Sequence, residues 1–149
     1  MVRILLTILV VIIESDVVLD AAFPSDTDFI DAALEKASVF LNKAKEPDDG
    51  RGLLVLRELL VNAGIHGNRR DSEKKVHYSI HCFPEGGFEI SVEDEGAGFD
   101  YKSLDTRIPE NPRLISKRGY VLINALSSKV RFNQAGNQIR VFITSPPKT

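Results

Sequence analysis

The sequence has few of the features that mark secreted, nucleic-acid-binding or membrane-spanning proteins. Its 149 residues include one cysteine, Cys82, which excludes an internal disulfide framework and fits a reducing compartment, the cytoplasm. Lysine and arginine number 19 against 21 aspartate and glutamate residues, so no basic excess favours nucleic acid. No apolar run reaches the roughly twenty residues of a membrane-spanning helix. At 43% hydrophobic and 27% charged, the composition is that of one globular domain over residues 1–149.

The longest apolar run, residues 4–13, has two interpretations. As a secretory signal it would start at the charged Arg3, but Glu14 and Asp16 follow at once and no small-residue cleavage site is obvious. Its many isoleucine and valine residues favour a buried or interface strand instead. We expect this region, residues 1–16, to contribute to a homodimer contact.

Hydrophobic periodicity predicts three helices. Ser25 or Asp26 is a suitable N-cap for a helix that runs to about residue 45. Its apolar residues at helical spacing are Phe29, Ala33, Ala37, Phe40 and Leu41. A turn at residues 47–50 precedes a second helix, which Gly67-Asn68 would end with a left-handed cap. A third, apolar helix opens at residues 116–119.

Period-two alternation predicts the strands. One strand places Val76, Tyr78, Ile80 and Cys82 on one face, with His77, Ser79 and His81 on the other. A hairpin at residues 84–87 leads to a strand that alternates Phe88, Ile90 and Val92. Further strands are expected over residues 17–22, 129–133 and 138–144, before a frayed tail at 145–149. A metal site built from His77, His81 and Cys82 is not expected, because Cys82 points away from both histidines.

The second helix carries two polar residues suited to chemistry. Glu58 and Asn62 are four apart, so they lie one above the other on one helix face. A carboxylate and a carboxamide so placed can hold a hydrated divalent cation and position a water or hydroxyl. His66 continues the same row. A core helix with a polar edge is the plainer interpretation of this stretch alone.

A second motif begins where a predicted strand ends. Asp94 takes the next position on the apolar face of Phe88, Ile90 and Val92, where a carboxylate is unfavourable unless something pairs with it. Gly96 and Gly98 follow, and glycines let the backbone turn sharply and approach a ligand closely. Turns use the same residues, so this motif alone is a weak signal.

A third motif follows a long irregular stretch. Residues 101–117 have no clear periodicity, and loops of that length in small domains are usually functional or disordered. Lys117 and Arg118 then precede Gly119 at the start of the third helix. A helix N-terminus beside two cations is suited to a phosphate group.

These three motifs, in this order, resemble the ATP-binding domain shared by gyrase, heat-shock chaperone, histidine kinase and MutL proteins. Within that superfamily the chain is most similar to the stand-alone anti-sigma factor/serine kinases of bacterial partner-switching systems, over roughly residues 17–144. Glu58, Asn62 and the His66-Gly67-Asn68 stretch resemble the family's N box. Asp94, Gly96, Gly98 and Phe99 match its G1 box, and residues 118–123 resemble the end of its ATP lid.

The resemblance implies a role for each matching residue. Glu58 would be the general base for a serine or threonine hydroxyl, and Asn62 would ligate Mg²⁺. Asp94 would accept a hydrogen bond from the adenine amino group of ATP. The implied nucleotide-binding residues are Asn62, His66, Asp94, Gly96, Gly98, Lys117, Arg118 and Gly119. The implied partners are an anti-sigma antagonist of the STAS type and a sigma factor.

The lid departs from the family pattern. Lys117 and Val121 stand where the family commonly has glycine, which makes a stiffer lid. A partner-switch module that binds ATP without transferring phosphate is therefore the alternative function. A sensor histidine kinase fragment or a chaperone or topoisomerase ATPase fits less well, because no phosphoacceptor helices or large further domains accompany the motifs.

The resemblance also implies the fold. We expect a two-layer α/β (α+β) sandwich of the Bergerat type, in which three helices cover one face of a mixed, mostly antiparallel sheet. The opposite sheet face would then be open to a partner.

Overall fold

A computed structural model describes residues 2–6, 10–25, 29–44, 46, 50–96 and 115–144. These residues form two layers, a seven-stranded sheet and a set of helices. The strands are β1 Arg3–Leu6, β2 Val11–Glu14, β3 Val18–Pro24, β4 Lys75–Cys82, β5 Phe88–Glu93, β6 Lys129–Phe132 and β7 Gln138–Ile143. The helices are α1 Phe29–Lys43, α2 Arg51–Val61 and α3 Ile115–Leu126, and α2 continues as a π-helix over Asn62–Gly67.

The sheet has the order β1-β2-β3-β4-β5-β7-β6, and each pairing among the described strands is antiparallel. We expected a mixed, mostly antiparallel sheet. The β6–β7 hairpin accounts for the difference, because it turns the chain back before β7 pairs with β5. The α+β class with helices against a sheet is confirmed.

The core lies between the sheet and the helices. Residues predicted to face inward are buried on β4 and β5, and their cross-strand partners Leu19, Ala21 and Phe23 on β3 are buried with them. The five apolar residues predicted on α1 are all buried. The Tyr78 hydroxyl donates to the carbonyl oxygen of Ala33 at 2.9 Å, which ties β4 to α1.

Cys82 lies on this buried face, whereas His77 and His81 are exposed on the other. Burial, together with the nearby Glu46 carboxylate, raises the pKa of the Cys82 thiol to about 11. The thiol therefore stays protonated at neutral pH and packs as a small apolar group.

The amino-terminal apolar run departs from the prediction of one strand. Its described parts form two strands, β1 and β2, that pair antiparallel with Arg3 opposite Glu14 and Leu6 opposite Val11. Folding back satisfies backbone groups of both halves, whereas one long strand would extend past the edge that β3 offers. Residues 7–9, which join the two strands, lie outside the described part of the chain.

The end of the second helix also differs from the expectation. The backbone of Asn68 has the right-handed helical conformation, with φ −84°. The left-handed conformation occurs instead at Arg69 (φ 54°) and Arg70 (φ 59°). The π turn moves the end of the helix onward, because each of its hydrogen bonds spans one residue more than in an α-helix. The predicted turn at 47–49, the N-cap candidate Asp26 and the tail at 145–149 lie outside the described residues. Within the described part, no helix is long and apolar enough to cross a bilayer.

Candidate functional site

Gly119 brings α3 into contact with the polar face of α2. A Cβ placed on Gly119 would lie 2.9 Å from Glu58 Oε2 and 3.4 Å from Asn62 Nδ2. Any larger residue would have to push these side chains aside, so glycine allows the two helices to approach here. Glu58, Asn62 and Gly119, which belong to two separate sequence motifs, therefore meet at one point.

The two residues at the end of the π turn have different surroundings. In this turn the backbone hydrogen bonds join residues i and i+5 instead of i and i+4. Gly67 packs on Asp94, whereas His66 is exposed. The structure therefore does not bring His66 to the contact that Glu58 and Asn62 make with Gly119. The predicted row assumed an unbroken α-helix.

Gly67 and Gly96 enclose the Asp94 carboxylate. A Cβ on Gly67 would lie 2.8 Å from Asp94 Oδ1 and closer still to Oδ2. A Cβ on Gly96 would collide with the carbonyl group of Gly67 and lie 2.9 Å from Asp94 Oδ1. The N box and the G1 box therefore touch through backbone at these two glycines, with the carboxylate between them.

The environment of Asp94 makes its carboxyl a weaker acid. Burial raises the pKa of the Asp94 carboxyl above its ordinary value, and the charge of Glu93 acts in the same direction. The Gly96 N–H, which donates to Asp94 Oδ1 at 2.7 Å, and the charge of Lys74 lower the pKa. Burial is the largest of these effects. Asp94 is half-buried, and Gly96 is the hydrogen-bond partner of its carboxylate within the part of the chain that the structure describes, so the other oxygen can accept a hydrogen bond from a ligand.

Two asparagines fix the backbone around Asp94. Asn68 Oδ1 accepts a hydrogen bond from Glu95 N at 2.7 Å. Asn137, in the connection between β6 and β7, accepts from Asp94 N at 2.9 Å through its carbonyl oxygen and donates from Nδ2 to Asp94 O at 3.2 Å. The sequence predicted Asn68 only as part of a helix cap in the N box, and Asn137 only as part of the connection between two strands. Turn connections contain asparagine for local reasons as well, so no sequence signal separated these two.

Three predicted site residues are not fully described. Gly98 lies outside the described residues. Lys117 and Arg118 belong to the first turn of α3, which begins at Ile115, but their side chains are outside the described part of the structure. The helix thus begins before residue 116, so the segment expected to lead into α3 is already helical.

The residues around Asn62 fit a magnesium–nucleotide complex. Asn62 Nδ2 is buried and has no hydrogen-bond partner among the described residues. Such an atom is rare in a folded protein and indicates a missing partner, and rotation of the amide would present its oxygen instead. Among the described residues no group of three or more His, Cys, Asp and Glu could hold a metal alone. Mg²⁺ typically needs only one or two protein oxygen ligands when phosphates and waters complete its shell.

Comparison with known proteins agrees with this geometry. Residues 23–143 match a protein family described as the histidine kinase-like ATPase domain. A search of curated proteins found no significant match. The matched range starts within β3 and ends with β7, so it includes the N box, the G1 box and α3, and leaves out β1 and β2. The chain therefore belongs to the histidine kinase-like ATPase family, which indicates ATP as its ligand.

Proposed function

We propose that this protein is an ATP-dependent serine/threonine protein kinase of a partner-switching system. It phosphorylates a STAS-type antagonist protein and, when that antagonist is phosphorylated, holds a sigma factor in the cytoplasm. The observation that carries the proposal is the meeting of Glu58, Asn62 and Gly119, together with the Asp94 carboxylate, which packs against Gly67 at the end of the π turn that starts at Asn62. Phosphoryl transfer uses a general base and a metal ligand, and an adenine acceptor would bind the nucleotide.

Each residue of the site has a separate task. Glu58 accepts the proton of the substrate hydroxyl, and its carboxylate already faces the contact between α2 and α3. Asn62, whose Nδ2 has no hydrogen-bond partner among the described residues, holds the metal. Gly119 lets α3 approach closely to both of these side chains. When bound, Mg²⁺ and ATP provide the transferable phosphoryl group and neutralise charge that develops on it.

Asp94 gives the site its preference for adenine. Its free hydrogen-bonding capacity is that of an acceptor, which matches the amino group of adenine. Guanine presents a carbonyl oxygen at that position, so two acceptors would face each other in a partly dry pocket. A mismatch of this kind costs about 1–3 kcal/mol, which corresponds to roughly five- to 150-fold in affinity.

The first test is a calorimetric titration of the protein with ATP and Mg²⁺. Wild type should bind with saturation, and Asp94→Asn should lose most of the affinity because its amide cannot offer the same acceptor. Asp20→Asn, an exposed carboxylate on the far sheet face, is the matched control and should bind like wild type. Absence of binding by the wild type would overturn the proposal.

The second test separates phosphate transfer from binding. Glu58→Gln should keep ATP affinity within a few fold and lose at least about a hundredfold in transfer to the antagonist, since general bases contribute ~10²–10⁴ in rate. Mass spectrometry would locate the phosphate on a serine or threonine. Glu35→Gln, exposed on α1, is the control and should transfer normally. Equal transfer by Glu58→Gln and wild type would remove Glu58 as the base.

One observation favours a second candidate, an ATP-binding switch without transferase activity. Residues 116–119 are already helical, so this stretch has little freedom to wrap around phosphates. Lys117 also stands in place of a glycine there. Under this alternative, ATP would change the affinity for the partner protein while the partner stays unphosphorylated. Measuring partner affinity with and without ATP, beside the transfer assay, distinguishes the two functions.

A further inference from the structure

Asn68 joins four segments of the chain. It follows the π turn, and its side chain is buried, with the residue only 1% exposed. Nδ2 donates to Ser25 Oγ at 2.7 Å, just after β3, and to the carbonyl oxygen of Lys75 at 2.8 Å, where β4 begins. Oδ1 accepts from Glu95 N at 2.7 Å. Both donors and the acceptor oxygen of the amide are therefore in use.

The backbone of Asn68 is fixed as firmly as its side chain. Its N–H donates to the carbonyl oxygen of Ala63 at 2.8 Å, and its carbonyl accepts from Asp71 N at 3.1 Å. Ser25, which receives one of the side-chain bonds, is itself 1% exposed and donates to the carbonyl oxygen of Lys74 at 2.9 Å. A buried amide whose hydrogen bonds are all formed has one orientation, so it can keep a neighbouring segment in a fixed position.

What Asn68 holds is the turn that carries Asp94. Glu95 follows Asp94 directly, and Gly96 N donates to the Asp94 carboxylate. A second bond reinforces the link, because Lys75 N, next to the Asn68 amide, donates to Glu95 Oε2. Asn137 holds Asp94 itself from the opposite side. The turn over residues 94–96 therefore positions the carboxylate, and Asn68 holds this turn through Glu95 N.

We propose that Asn68 is a positioning residue for nucleotide recognition: it holds the Asp94–Gly96 turn so that the Asp94 carboxylate meets the amino group of adenine. The inference rests on the proposed ATP site and adds a residue that does not touch the nucleotide. It also gives the strained turn at Arg69 and Arg70 a reason, because both left-handed residues follow Asn68 directly.

The test removes the Asn68 side chain and the adenine amino group, separately and together. ATP and purine riboside triphosphate, which lacks the amino group, are titrated into wild type and Asn68→Ala. The variant should bind ATP about three- to tenfold more weakly, the usual effect of one hydrogen bond. It should bind purine riboside triphosphate as wild type does, because that ligand makes no bond to Asp94. The effects of Asn68→Ala and of removing the adenine amino group on the binding free energy should therefore not add, which indicates that Asn68 acts by positioning Asp94.

A purely structural role gives a different pattern. Loss of packing would weaken both nucleotides by the same factor, and so would partial unfolding. Tyr78→Phe is the matched control, since it removes one buried hydrogen bond, to Ala33, away from the Asp94 turn. It should lower the unfolding midpoint and leave both affinities unchanged. Equal weakening of ATP and purine riboside triphosphate by Asn68→Ala would overturn the inference.

A nucleotide-independent measurement separates this inference from the proposed function. The Glu95 amide should exchange with solvent deuterium at least about tenfold faster in Asn68→Ala than in wild type, because its acceptor is gone. If wild type binds no ATP, the proposed function and the recognition role fail together, and the exchange rate shows whether Asn68 holds the turn. If ATP binds and the Glu95 rate is unchanged, only the inference fails. If Asn68→Ala does not fold, Ser25→Ala is used instead, because it removes one hydrogen-bond acceptor of the Asn68 amide. It should raise the exchange rate of the Glu95 amide by a smaller factor, and an unchanged rate would overturn the inference.

Discussion

Burial of the Asp94 carboxyl suits it to recognise a ligand, but the same burial lowers the stability of the free protein at neutral pH. Burial raises the pKa of the carboxyl, so the folded state holds the proton more tightly than the unfolded chain does. The contribution of Asp94 to stability is therefore greatest below the unfolded pKa of about 3.9 and falls as pH rises through the folded pKa. A group that recognises a ligand thus lowers the stability of the free protein at neutral pH.

Asp94→Asn should therefore be more stable than wild type at pH 7, and this advantage should shrink as pH approaches 4. The neutral amide keeps an acceptor for the Gly96 N–H but has no charge to desolvate. Urea unfolding of both proteins across this pH range is the measurement. A variant that is less stable than wild type at pH 7, with no change in the gap toward pH 4, would contradict the argument.

Arg69 is a second residue at which local conformation conflicts with stability. It is exposed and left-handed, a conformation that costs a non-glycine residue about 1–2 kcal/mol. Arg69→Gly should be neutral or stabilising by about 0.5 kcal/mol, since relief of strain outweighs the added freedom of the unfolded chain. Arg57→Gly, exposed within α2, should instead lose about 1 kcal/mol. Equal losses in urea unfolding would show that the left-handed turn is not strained.

Among the elements, an ion pair joins the β1–β2 hairpin to helix α1. Glu14, buried on β2, accepts from Lys36 Nζ on α1 at 2.6 Å, while the core face around it is apolar. The hairpin precedes residues 23–143, which match the family. A buried carboxylate needs its partner far more than an exposed one does.

Lys36→Met should destabilise the protein by about 2–3 kcal/mol, because Glu14 would stay buried without its cation. The double variant Glu14→Leu, Lys36→Met should recover most of the loss, since neither charge then remains to be desolvated. Thermal unfolding measures the loss, and amide exchange in β2 should show that it concentrates there. A double variant as unstable as Lys36→Met would contradict this account.

At the scale of the whole molecule, the sheet has one face against the helices, and among the described residues no element covers the other face. The described part of that open face is polar in its middle, with His77, Ser79 and Glu93, and apolar toward β2, where Ile13 is 44% exposed. We propose that the protein forms a homodimer through this face, with β2 in the contact.

Light scattering at micromolar concentration should then give twice the 16.5 kDa chain mass. Ile13→Asp should give a monomer with unchanged circular dichroism, because a charge would be buried at the contact. Val39→Asp, on exposed α1, should leave the dimer intact. A monomeric wild type would rule the dimer out.

The periodicity of the sequence predicted helices and strands well where an element has one buried face and one exposed face. The alternation in β4 and β5 and the spacing in α1 depend only on side-chain direction along one element, and the structure confirms them. The fold-back of the amino-terminal run was not predicted, because a run that is apolar at almost every position has no clear period to reveal where it turns.

The sequence by itself determined the family, the two-layer class and the identity of the polar residues Glu58, Asn62 and Asp94, because motif spacing and periodicity are local properties. Only the tertiary structure decided which of them meet. Gly119 reaches Glu58 and Asn62 through the packing of two helices, and Gly67, at the end of the π turn, contacts Asp94 while His66 is exposed. Asn68 acquires its role because three segments distant in sequence from one another supply its partners, and contacts of that kind form only when the chain has folded.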